Sequence, residues 1–127
     1  MAATPLAVLA AVVAGLVAFG PPGELRKARL DERRAEDLRT ISRAVDFYWS
    51  NHRQLPASLV ELARESGVAP IPEDPLTGNT YEYQVSSGEG YTLCAVFDRP
   101  SDASASGYWW HGAGRHCFNL TPNRTSR

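Results

Sequence analysis

The sequence predicts an α+β protein in which a single N-terminal transmembrane helix continues into an amphipathic helix packed on a small antiparallel sheet of three or four strands. Three observations predict it. Residues 1–23 hold no charged side chain and are mostly Ala, Val, Leu, Gly and Phe. Residues 24–52 place Leu30, Leu38, Ile41, Val45 and Tyr48 at spacings that keep them on one side of a 3.6-residue helix. From Tyr81 onward the period becomes two, with Tyr81, Tyr83 and Val85 alternating against polar neighbours, which is the signature of a strand. At 127 residues, 43% apolar and with 13 Lys and Arg against 14 Asp and Glu, the chain is one domain's worth of near-neutral polypeptide. Such a balance argues against a disordered or nucleic-acid-coating protein, so no nucleic-acid partner is expected.

The first element, residues 1–23, is expected to be an uncleaved membrane anchor. The apolar run from Pro5 to Gly20 rises about 24 Å as a helix and approaches the roughly 30 Å hydrocarbon core once its uncharged flanks are added. A cleaved signal would carry Lys or Arg ahead of the run, and Pro21 would hinder a cut after Gly20. Ala7, Ala11 and Gly15 fall at spacing four, as do Ala10, Ala14 and Ala18. Stripes of small residues allow close packing against other transmembrane helices in lipid, although an alanine-rich composition alone also produces them.

Pro21, Pro22 and Gly23 interrupt the helix where the span ends. Residues 24–52 form the second element, a charged helix with a solvated side on which Lys27 with Asp31 and Arg33 with Asp37 stand at ion-pair spacing, and whose second half is covered. Residues 53–120 hold a short helix and the sheet. In "QLPASLVELARESG", Ser58 and Glu61 make a capping box and Gly67 is a stop signal. The turn "DPLTG" then leads into "TYEYQV", "SSGEG" turns into "YTLCAVF", and "YWWH" and "HCFNL" supply the remaining strands. Residues 121–127 are expected to be a flexible tail.

Cys94 and Cys117 fall on strands that can lie side by side. They read as one disulfide closing a loop of roughly two dozen residues, with a pair of buried thiols as the alternative. A disulfide suits an oxidising compartment. The basic cluster Arg26, Lys27, Arg29, Arg33 and Arg34 after the span pulls the other way by the positive-inside rule. The expectation is a single-pass protein of a bacterial inner membrane with a periplasmic C-terminal domain.

The stretches "RRAEDLRTISRAVDFYWSNHRQLPASLVEL" and "DPLTGNTYEY" resemble the type IV pilins and, more closely, the major pseudopilins of type II secretion systems. In that family a helix ends in an aromatic residue, a proline follows after a few polar residues, and an Asp-Pro, a Gly and a Tyr-x-Tyr open the sheet. The resemblance covers about residues 5 to 97 and implies a pilin-like fold. It departs from the family at the start, where the basic leader, the peptidase cleavage motif and the acidic residue of the mature N-terminus are all missing. What it implies is therefore a pilin-like fold whose export-filament role was either lost or never present.

Four candidate sites stand out. Asp74 belongs to a turn. Asp98 and Asp102, near Ser101 and Ser104, match the position at which some pseudopilins hold calcium, but calcium wants six to eight oxygens and the donors are few. The stretch "HGAGRHC" brings His111, His116 and Cys117 together in sequence, yet its spacing fits no zinc or haem pattern, and a strand sends His116 and Cys117 to opposite faces. Trp109 and Trp110 are adjacent aromatics after Tyr108, one expected in the core and one on the surface as a partner interface, or both buried. No nucleophile elbow, phosphate loop or carboxylate pair points to catalysis, and no cofactor is implied beyond that weak calcium site. The expected function is that of a non-catalytic, membrane-anchored structural or scaffolding subunit of a secretion, pilus or energy-transducing complex such as a photosynthetic or respiratory one. It would meet other transmembrane subunits and lipid through the span, and an extramembrane protein through the sheet. A true pseudopilin and a calcium- or metal-dependent binding module are the alternatives.

Overall fold

A computed structural model of the chain describes residues 22–102 and 108–122. The expected anchor, with Ala7, Ala10, Ala11, Ala14, Gly15 and Ala18, lies outside the described residues, as do Ser104 and the end of the tail. Among the described residues no helix is long and apolar enough to cross a membrane. What the described residues form is a long helix packed on a three-stranded antiparallel sheet.

The long helix, α1, runs Pro22–His52. Pro22 opens it at the position where a missing N–H costs nothing, and Glu24 in the first turn suits the positive end of the helix dipole. Arg53, with φ 53, closes it by donating its N–H to Trp49 O at 2.7 Å. The buried residues Asp31, Arg34, Ala35, Leu38, Ile41, Ser42, Val45 and Tyr48 follow one another by steps of one or three, a single stripe along one side. Cover thus begins at Asp31 and not in the second half of the helix. The expected pairs change with it, because Asp31 is on the buried stripe and is claimed by Arg34. Lys27 turns instead to Glu24 at 3.4 Å, and Asp37 accepts a hydrogen bond from the Tyr81 hydroxyl at 2.6 Å.

The short helix α2 is Leu59–Ala63. Ser58 Oγ accepts from the Glu61 N–H at 3.2 Å, as a capping box requires. The return bond goes one residue further out, from the Ala57 N–H to the Glu61 carboxylate at 2.8 Å, and that carboxylate also accepts from the Tyr48 hydroxyl at 2.7 Å. The cap therefore fastens α2 to α1. The helix stops four residues before Gly67, since the N–H groups of Arg64 and Glu65 turn back three residues to Glu61 and Leu62.

Strands β1 (Glu82–Ser87), β2 (Gly90–Phe97) and β3 (Gly114–Leu120) pair in that order as a meander. Register sets the faces. Tyr91, Leu93, Ala95 and Phe97 of β2, with Phe118 and Leu120 of β3, point at Leu38, Ile41 and Val45 of α1 and make the core. Fully burying a side chain of this kind contributes about 1.5–3 kcal/mol. Inside it, Ser42 Oγ and the Tyr91 hydroxyl pair at 3.0 Å, so neither is left unsatisfied. The other face carries Cys94 directly opposite Cys117, and the two are bonded. "YWWH" is not a strand. Tyr108 and Trp109 form a turn, and the chain rejoins the sheet at Gly114, whose φ of 83 is left-handed.

Candidate functional site

At the end of the sheet where β2 finishes, α1 offers Asp31 and Arg34, the two charged residues of its buried stripe. Asp31 accepts from the backbone N–H groups of Asp98 and Arg99, each at 2.8 Å, and so caps the chain as it leaves β2. Arg34, 3% exposed, then meets three carboxylates. Its Nη1 donates to Asp31 Oδ1 at 2.9 Å and to Asp98 Oδ2 at 3.0 Å, and its Nε donates to Asp74 Oδ2 at 2.7 Å. Burial alone would lower the Arg34 pKa, but its hydrogen bonds to three carboxylates outweigh it and hold the guanidinium firmly charged. The planar fork is what lets one cation serve three acceptors from three segments.

Asp74 is the organiser of its own turn. Its Oδ1 accepts from the N–H groups of Leu76 and Thr77 at 2.9 and 3.0 Å, and its carbonyl accepts from Gly78, whose φ of 72 closes the turn. Burial pushes the Asp74 carboxyl up, yet Arg34 and those two N–H groups hold it below the usual carboxylate range. The turn "DPLTG" is thereby locked to α1 just ahead of Tyr81, which enters the core.

Beside this cluster lies an open cleft of about 650 Å³ between α1 and the segment after β2, walled by Glu32, Arg39, Arg99, Asp102 and Trp109. Its rim is tied by Ser101, which bonds the backbone of His111 three times: N–H to O at 2.8 Å, Oγ to O at 3.2 Å, and Oγ from N–H at 3.0 Å. The His111 ring is buried, stacks on Phe97 with centroids 3.6 Å apart, and has its pKa lowered by burial. Comparison of the chain with protein-family models, with curated proteins and with solved structures finds no match.

The sequence-predicted residues are dispersed by this arrangement. Asp98 is drawn to Arg34 while Asp102 is exposed in the cleft wall, and among the described residues no group of three His, Cys, Asp or Glu side chains is placed to hold a metal ion. His116 packs between Trp110 and Phe118 on the side of the sheet that faces α1, and Cys117 is bonded on the other, as the strand period requires. Trp109 lies half-buried between Phe118 and the Arg39 guanidinium, whereas Trp110 is 53% exposed with Tyr108 at 57% beside it. Trp109 thus packs against the core without entering it, and Trp110 is on the surface. Sequence reasoning missed Asp31 and Arg34, although they continue the spacing of Leu38 and Ile41 toward the helix start.

Proposed function

We propose that the protein is a non-catalytic, single-span subunit of a bacterial inner-membrane complex, with a pilin-like domain held in the periplasm. The observation that carries the reading is the use of α1. It follows directly on the apolar run that ends at Gly20, and its buried stripe from Asp31 to Tyr48 is the spine on which α2, the turn and the sheet are assembled. A domain built on the continuation of an anchor transmits the position of that anchor to an extramembrane surface. The Cys94–Cys117 bridge supports an oxidising compartment. Exposed Trp110 and Tyr108 supply the type of side chain that anchors protein interfaces. The buried charges support a structural role as well, since Asp31, Asp74 and Arg34 are spent on joining elements.

The test is purification of the full chain from bacterial membranes in mild detergent. The expected result is co-elution with other integral membrane chains at fixed stoichiometry, lost when residues 1–20 are replaced by a cleavable export signal. A protein that stays behind when membranes are removed, or that elutes alone in its micelle, overturns the proposal.

A further inference from the structure

Both cysteines of the chain are in one bridge, and its two sulfurs have different surroundings. Cys94, on the central strand, is 3% exposed, while Cys117, opposite it on the edge strand β3, is only partly buried. An ion pair crosses the sheet over Cys94. Arg115 of β3 reaches across β2 to Glu82 of β1, with Nη2 at 2.6 Å from Oε2 and Nε at 3.0 Å from Oε1. The same Nη2 lies 3.7 Å from Cys94 Sγ and donates toward it. Both charged side chains are more than half exposed, so neither serves the core.

We infer that the bridge is a site of directional thiol–disulfide exchange, in which an external thiolate attacks Cys117 and Cys94 leaves as the thiolate beside Arg115. The attacking sulfur bonds to Cys117 Sγ as the Cys94–Cys117 bond breaks, and the electron pair of that bond goes to Cys94 Sγ. A second external thiol then attacks the mixed disulfide, forms a disulfide with the first and releases Cys117 as a thiolate. Water protonates both cysteines, and the two electrons come from the external pair of thiols, as the vicinal dithiol of an oxidoreductase would supply them. Exchange is faster when the attacked sulfur is reachable and the leaving thiolate is stabilised. Here access favours Cys117 and the guanidinium favours departure of Cys94, so both factors choose the same direction. Glu82 opposes that departure by its charge. The seven residue pairs of the β2–β3 ladder hold the strands together, so exchange needs no separation of the sheet.

The experiment uses the full chain in detergent with glutathione as the probe, acid quenching, alkylation, and location of the adduct by mass spectrometry. Glutathione is expected on Cys117, with Cys94 alkylated. Arg115→Gln is expected to slow the reaction about three- to tenfold, Glu82→Gln to accelerate it by about the same factor, and Arg115→Lys to retain most of the parent rate. Both neutral variants break the same ion pair, so if the pair merely covered Cys94 both would accelerate, and that result overturns the proposal. It is equally overturned by an adduct on Cys94, by rates that do not change, or by exchange no faster than global unfolding.

Discussion

Arg34 is buried because each of the three segments that meet around it brings a carboxylate: Asp31 from its own helix, Asp74 from the turn before β1 and Asp98 from the end of β2. Removing one partner of such a set leaves the rest under-compensated, and the effect on stability carries a pH signature. The folded Asp74 pKa lies below its unfolded value, so the unfolded chain binds the proton first as pH falls. The stabilisation is thus complete above the ordinary carboxyl pKa of about 4 and is lost as pH drops through the depressed folded value. Asp74→Asn keeps the shape but not the charge. It is expected to cost about 1–3 kcal/mol at neutral pH, with a shallower acid limb than the parent between about pH 5 and pH 2. Denaturant titrations of both proteins across that range check it, and parallel acid limbs would remove Asp74 from the account.

Among the elements, α1 tests whether the stripe is what holds the domain together. Ile41 is fully buried at its centre, facing the sheet. Ile41→Asp sets an unpaired charge there, and a loss of about 3–5 kcal/mol, enough to unfold a marginal domain, is expected in thermal or denaturant melts. An unchanged melt would mean that the helix packs by another face. The apolar half of this stripe was legible, since Leu38, Ile41, Val45 and Tyr48 announce themselves by spacing. Its other half was not, because Asp31 and Arg34 occupy buried positions with residue types that ordinarily mark solvent. Beyond each other, their partners are 40 and more residues away, so no local pattern connects them to the turn and the sheet. The turn "DPLTG" was legible because Asp-Pro and Gly78 act through local backbone geometry. "YWWH" misled for the opposite reason: three aromatics suit a strand, but Ser101 pairs with His111 and pulls the segment out of the ladder, leaving Trp109 to lie on Phe118.

For the molecule as a whole, β2 ends at Phe97 and β3 begins at Gly114, so the sheet must bring two segments distant in sequence into register. The Cys94–Cys117 bond spans 23 residues of sequence and fixes that register covalently. Closing a loop of this size in the unfolded chain is worth about 3 kcal/mol in the entropy model, a large share of the roughly 5–15 kcal/mol that a domain typically has. Cys94→Ser combined with Cys117→Ser is therefore expected to lower the unfolding free energy by about 3 kcal/mol. Because the effect arises mainly in the unfolded state, the folded double variant should retain the parent's far-ultraviolet dichroism, and its urea m-value should rise as the released chain expands on unfolding. The parent protein denatured in excess reductant should move onto the variant's curve. If the variant instead loses less than about 1 kcal/mol, the register is held by the ladder and by Tyr91, Leu93, Phe97 and Phe118 packed on α1, and the bridge is left with its exchange chemistry as its main reason to exist.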